Sequence, residues 1–151
     1  NLVGKVYKKV SSSGESLHVP REQYFLDCEL QMVAKEFSDL YAQRSPPKPV
    51  DFLMAYVLEL SDRPDKPVFA VERFMQGAFN KYNNNSGFIN EEAHRHTPHA
   101  FSHFTFLASN KTLLICDIQG VGDLYTDPQI HSHDGKGYGE GNLGVKGFAL
   151  F

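Results

Sequence analysis

Thr112-Leu113-Leu114-Ile115-Cys116-Asp117-Ile118-Gln119-Gly120-Val121-Gly122-Asp123-Leu124-Tyr125-Thr126-Asp127 is the stretch on which the reading of this chain turns. Residues 112–116 are almost continuously apolar, the pattern of a buried strand. Asp117 then stands at the strand's C-terminal end, where a carboxylate is fixed by the sheet yet can face a cleft. Gln119 and Asp127 add side-chain oxygens within ten residues. A hard cation such as Mg²⁺ takes oxygen ligands, commonly one or two carboxylates together with substrate phosphates. The same segment also reads as a glycine-rich turn with solvated acids. From 117 to 147 glycine is frequent and periodicity weak, which predicts one long loop. A loop of that length is usually functional.

Working outward, residues 2–10 alternate like a strand and contain Lys5, placed to reach a phosphate as a point charge or simply to face solvent. Ser11-Ser12-Ser13-Gly14 reads as a loop. Pro20 can open a helix. Phe25, Cys28, Met32, Phe37, Leu40 and Tyr41 recur at three- to five-residue steps, predicting a helix from about Glu22 to Gln43 with one buried stripe. Ser45-Pro46-Pro47-Lys48-Pro49 ends it. Val50–Leu60 and Pro67–Phe74 read as two strands joined by a turn at 62–65. Thr97-Pro98 reads as an N-cap and first helical residue, opening a short helix with Phe101, Phe104 and Phe106. The order is strand, helix, two strands, helix, strand and long loop, an α+β pattern.

Composition narrows the possibilities. The chain has 151 residues, 41% of them hydrophobic and 13% aromatic, which suits one folded domain or a piece of one rather than a disordered segment. Net charge −3 argues against broad nucleic-acid binding. No apolar run approaches the ~20 residues of a membrane helix, and the start, Asn1-Leu2-Val3-Gly4-Lys5, shows no signal-peptide h-region. Cys28 and Cys116 lie far apart without metal or redox spacing, as expected of reduced thiols in a cytoplasmic protein. Gly139-Glu140-Gly141-Asn142-Leu143-Gly144 fits Gly-x-Gly-x-x-Gly, but no strand leads into it and no βαβ unit follows, so it is not a dinucleotide fingerprint. His94, His96, His99 and His103 suggest zinc or merely surface histidines; His99 and His103 would share a helix face.

Four blocks then match a known pattern: Lys81-Tyr82-Asn83-Asn84-Asn85-Ser86-Gly87-Phe88, Phe101-Ser102-His103-Phe104-Thr105-Phe106, the run from Asp117 to His131, and Gly141-Asn142-Leu143-Gly144. In this order they resemble the alpha-kinase family of atypical serine/threonine kinases. The resemblance extends over essentially all 151 residues. It implies a two-lobed α+β kinase-like domain, with about 1–72 in the N-lobe and about 73–151 forming hinge and C-lobe. It implies transfer of the ATP γ-phosphate to Thr or Ser of a protein substrate, of the elongation factor 2 or myosin heavy chain type. Lys5 resembles the lysine that holds the ATP phosphates; Glu72 and Met75 resemble the hinge that receives adenine; Lys81 resembles a second basic residue near the nucleotide. Asp117 matches the catalytic aspartate, Gln119 and Asp127 the Mg²⁺-binding pair, and Gly139, Gly141 and Gly144 the substrate-positioning loop. His103 matches the first ligand of a structural Zn²⁺, whose other ligands, in a His-x-Cys-x-x-x-Cys set, are expected beyond Phe151. The expectation is the central part of such a domain, cut at both ends. A non-catalytic, pseudokinase-like binding segment and a zinc-binding interaction module are the alternatives.

Overall fold

The computed structural model describes residues 1–7, 9–10, 16–17, 19–92 and 95–151. The predicted 11–14 loop and His94 lie outside them. In chain order the elements are β1 (Leu2–Lys5), β2 (Lys9–Val10), β3 (Ser16–Leu17), α1 (Arg21–Ala42), β4 (Asp51–Phe52), β5 (Ala55–Glu59), β6 (Val68–Arg73), β7 (Phe79–Lys81), α2 (Thr97–Ala108), β8 (Leu113–Cys116), β9 (Gln119–Val121), β10 (Leu124–Thr126), β11 (Gln129–Ser132) and α3 (Val145–Phe148).

Two main sheets result. The first has the order β1-β6-β5 and is antiparallel, with Val3 opposite Glu72 and Lys5 opposite Ala70. The second has the order β4-β10-β9-β7, in which β10 runs parallel to β4 and antiparallel to β9. β8 pairs with β11, and β2 with β3. Helix α1 packs on β5 and β6 of the first sheet and on β4 of the second, so one helix holds both. The core is Leu30, Ala34, Val50, Phe52, Tyr82, Phe101, Ile115, Ile118, Tyr125 and Ile130, drawn from α1, α2 and the second group of strands.

Three expectations change. Helix α1 forms almost where predicted, but its buried stripe is Tyr24, Cys28, Gln31, Ala34 and Ser38, while Phe25, Met32 and Leu40 face solvent. The spacing of 24, 28, 31, 34 and 38 follows the helical repeat, and it includes a glutamine because that glutamine has partners inside. The second helix starts one residue earlier, with His96 at the cap, so Thr97 is its first residue and supplies no side-chain cap. The loop from 117 contains β9, β10, β11 and α3. Each strand there has three or four residues, too few to show a period. Gly122 (φ 62°) and Asp123 make the two-residue turn of the β9–β10 hairpin. Gly120 crosses β10 so closely that a Cβ would lie 2.1 Å from the Leu124 carbonyl oxygen.

Candidate active site

The hairpin register builds the site. It sets Gln119 opposite Thr126, and the neighbouring pairing sets Lys81 opposite Gln119. Lys81, Gln119 and Thr126 therefore form one row across three strands, with Asp117 and Asp127 flanking it in sequence. Both aspartates hold left-handed backbone, φ 57° at Asp117 and φ 50° at Asp127. Non-glycine residues in that region carry strain, and such residues concentrate at functional sites.

Lys5, at the end of β1, reaches over from the first sheet. Its Nζ lies 2.7 Å from Glu72 Oε1 and 2.7 Å from Asp127 Oδ2. Burial pulls the Lys5 pKa down, but the bonds to Asp127 and Glu72 outweigh it and leave the amine above its ordinary value. Glu72 is buried, and its other oxygen accepts the Thr126 hydroxyl at 2.6 Å. Gln31 ties the same corner together. Its Nε2 donates to the Leu53 carbonyl at 2.7 Å, and its Oε1 accepts the Asp127 N–H at 3.0 Å. Gln119 Nε2 donates to the Asp127 carbonyl at 3.1 Å.

The cleft between β1, β6, α1 and the 127–129 segment has a volume of about 390 Å³, and Lys5, Glu72 and Asp127 line it together with Asp27, Cys28 and Gln31. That is room for a nucleotide-sized ligand. Asp27 faces the cleft and accepts from Gln23 Nε2 at 3.1 Å, with no ion pair to it among the described residues. Burial, and then the Asp127 charge, push its carboxyl up to about 6, and Lys5 counteracts only in part. Cys28 is also raised, chiefly by burial, so its thiol is not activated.

Asp117 is engaged separately. Its Oδ1 lies 2.7 Å from Lys81 Nζ, and its side chain is 13% exposed. Asn83, fully buried, accepts the Ile118 N–H at 2.9 Å and donates to Ser102 Oγ of α2, fixing the backbone just after Asp117. Gly139 and Gly141 line a smaller hollow of about 170 Å³ with Tyr7, Gln23 and Gln129, residues that also border the main cleft; Gly144 lies buried in the same loop.

The sequence-predicted residues thus divide. Lys5, Glu72 and Asp127 meet in one cleft, Gln119 touches Asp127, and Lys81 pairs with Asp117. Met75 lies in the segment joining β6 to β7 and is not among the cleft-lining residues. His103 is exposed on α2, beside a separate apolar hollow with His99, Phe106 and Phe148. For a magnesium ion the donor chemistry fits: the Asp127 carboxylate is half exposed, Gln119, bonded to the Asp127 backbone carbonyl, carries a side-chain amide oxygen, and phosphates and water would complete an oxygen shell. For zinc it does not close. Among the described residues no group of three or more His, Cys, Asp or Glu could hold a metal, and tetrahedral zinc needs about four ligands. Sequence reasoning missed Gln31, Thr126 and Asp27. Asp27 and Gln31 lie four apart on one helix face, which was the available signal once the true stripe of α1 is known.

A two-sheet α+β fold with a lysine shared by two carboxylates over a nucleotide-sized cleft defines the class of protein to compare. The alpha-kinase family matches residues 1–151, and the chain belongs to that family. It is 53% identical over 133 residues to eukaryotic elongation factor 2 kinase of Homo sapiens, covering 88% of this chain and 18% of that protein. It is 53% identical to myosin heavy chain kinase B of Dictyostelium discoideum, covering 87% and 18%. Among solved structures, the alpha-kinase domain of myosin heavy chain kinase A in complex with ADP superposes with a TM-score of 0.83 at 48% identity, covering 88% of this chain and 55% of that one. The apoenzyme of the same domain gives a TM-score of 0.84 at 46% identity, covering 89% and 54%. The chain therefore spans less than a fifth of these curated relatives and about half of the solved domains.

Proposed function

We propose that this chain is part of a protein kinase domain that transfers the ATP γ-phosphate to Thr or Ser of a protein substrate. The observation that carries the reading is the Lys5–Glu72–Asp127 cluster over the cleft, in a fold shared with domains solved with ADP. Phosphoryl transfer asks the protein mainly to position groups and balance charge. Lys5, released from Asp127, would pair with the nucleotide phosphates while Glu72 keeps it in place. The Glu72 carboxylate is occupied by Lys5 and Thr126, so adenine recognition would fall to the backbone of 72–75 and to Met75. Lys81 would hold one oxygen of Asp117 and leave the other to orient the acceptor hydroxyl and take its proton. Gln119 and Asp127 would hold Mg²⁺, which neutralises phosphate charge when bound. The loop at Gly139, Gly141 and Gly144 would position the acceptor.

In this reading 1–72 belong to the N-lobe and 73–151 to hinge and C-lobe, with β4 crossing to the second sheet. His103 would contribute one ligand of a structural Zn²⁺ in the complete domain. The substrate would be a protein of the elongation factor 2 or myosin heavy chain type. Two free buried thiols suit a reducing, cytoplasmic setting, and no described helix is long and apolar enough to cross a membrane.

The test is Asp117→Ala in the full-length protein, assayed with γ-labelled ATP and a protein acceptor. Transfer should fall at least about a hundredfold, the lower range for losing a general base, with ATP affinity held within a few fold. Wild-type turnover in that variant would refute the assignment. Binding of ATP without transfer by the wild type would favour the pseudokinase-like reading.

A further inference from the structure

His131 is fully buried at the end of β11, and no step above uses it. Its two ring nitrogens bridge two segments that lie far apart in sequence. Nε2 lies 3.1 Å from the Asn85 carbonyl, and Nδ1 lies 3.0 Å from the Leu143 N–H. A carbonyl can only accept and an N–H can only donate, so these partners define one tautomer: neutral, with the proton on Nε2. The ring also forms the floor for α3, since a Cβ on Gly147 would fall 2.4 Å from it. A second strut runs parallel, with Asn85 Nδ2 donating to the Gly141 carbonyl at 3.1 Å.

We propose that His131 is a positioning residue that latches the glycine-rich loop 139–144 onto the asparagine segment 83–85, and that the latch holds only while the ring is neutral. The same asparagine segment fixes Ile118 beside Asp117 through Asn83, so the latch sets the loop relative to the aspartate assigned to catalysis. A protonated ring would present N–H to the Leu143 N–H, two donors facing one another, and that contact would open.

The surroundings favour the neutral form. Burial, the strongest influence, lowers the ring's pKa; the Asn85 bond and the charge of Asp117 act the other way and do not offset it. The facing elements add little charge: β8 sets Leu114 opposite, and α3 brings Gly147, with Lys146 exposed next to it. His133, Asp134 and Lys136 follow His131 and are exposed. The folded ring therefore takes up its proton at lower pH than a free histidine. The latch's stability is complete above the ordinary histidine range and is lost as pH falls through it.

The loop's part in acceptor positioning rests on the kinase reading; the latch does not, and two experiments separate them. In the full-length wild-type protein, imidazole ¹⁵N shifts should show His131 as the Nε2–H tautomer, and the Leu143 amide should be protected from exchange at pH 7.5 and lose protection in mildly acid buffer. A proton on Nδ1, or an unprotected Leu143, would overturn the latch whatever the activity. In transfer assays with dephosphorylated casein as acceptor, His131→Gln keeps a donor toward Asn85 but loses the acceptor for Leu143. It should raise KM for casein by about tenfold, the effect of stranding one partly buried N–H, with KM for ATP within about twofold. His131→Asn, which keeps an oxygen near the Nδ1 position, should recover most of the loss. Equal changes in both KM values, or no change, would refute the positioning role. A wild type that transfers no phosphate would refute the kinase reading and leave the tautomer result standing.

Discussion

Replacing Lys5 by Met tests the central cluster, because it removes the charge and keeps the length. Glu72 is only 6% exposed, so the substitution leaves a buried carboxylate whose cation is gone. Breaking a buried pair from one side costs about 3–5 kcal/mol, whereas exposed pairs contribute about 1 or less. The Lys5 side chain is 34% exposed, and Glu72 keeps the Thr126 hydroxyl, so the expected loss lies below that range, at about 2–3 kcal/mol. Glu72→Gln should cost about 1 kcal/mol, since Lys5 retains Asp127 and the amide oxygen still accepts Thr126. The double variant should return to about the cost of Glu72→Gln alone, because no buried charge is left unpaired. That is a coupling of about 2–3 kcal/mol, far outside the additivity of independent sites. The sign with pH is also determined: the folded Lys5 pKa is raised, so its contribution is complete below 10.5 and disappears only as pH rises through the folded value. Urea unfolding of the four proteins at pH 7 reads the cycle, and ATP titration reads function. The double variant should recover stability and not ATP affinity. Additive costs, with coupling under about 0.5 kcal/mol, would refute the account of Glu72 as a carboxylate that requires its lysine.

Asp27→Asn should remove a pH dependence. The folded carboxyl titrates near 6 against 3.8 unfolded, so the folded state binds the extra proton and wild-type stability falls as pH rises from about 4 to about 6. Allowing for solvent screening at a half-buried site, the variant should gain about 1–2 kcal/mol at pH 8, and an unchanged urea-midpoint slope between pH 4.5 and 8 would contradict this. Tyr125→Phe should leave stability equal or raise it by up to about 1 kcal/mol. The buried Tyr125 hydroxyl has no hydrogen-bond partner among the described residues, and burial pushes its pKa up to about 12. A loss above about 1 kcal/mol on thermal melting would show a partner after all.

Much of the fold was legible because its long elements carry long patterns. Helix α1 has 22 residues, six turns over which an apolar repeat accumulates, and consecutive prolines mark its end. β6 and β8 were legible as apolar runs. The face of α1 was not, because exposed Phe25 and Met32 look like core and buried Gln31 does not. The hairpin β9–β10 escaped for a different reason. Three-residue strands show no alternation, and the features that define them, the Gly120 approach and the Gly122-Asp123 turn, are statements about backbone contact rather than hydropathy.

The site shows the same division more sharply. Asp117, Gln119 and Asp127 drew attention as oxygen donors directly after a buried strand, though local spacing alone also read as a glycine-rich turn with solvated acids; the hairpin register brings Gln119 to Asp127. Lys5 lies more than a hundred residues away in sequence, and Asp127 within bonding distance of it. Nothing in local spacing encodes that meeting; it follows from α1 packing on both sheets and so fixing how β1 lies over β10. Gln31 is the residue that makes the packing specific. A leucine there would complete the apolar stripe, yet it would strand the Asp127 N–H and leave the Leu53 carbonyl without its donor. The glutamine breaks the hydrophobic pattern at the point where the helix has to grip the cluster's backbone. That is why the stripe of α1 and the corner of the candidate site are missed together: both depend on a polar residue buried for its partners.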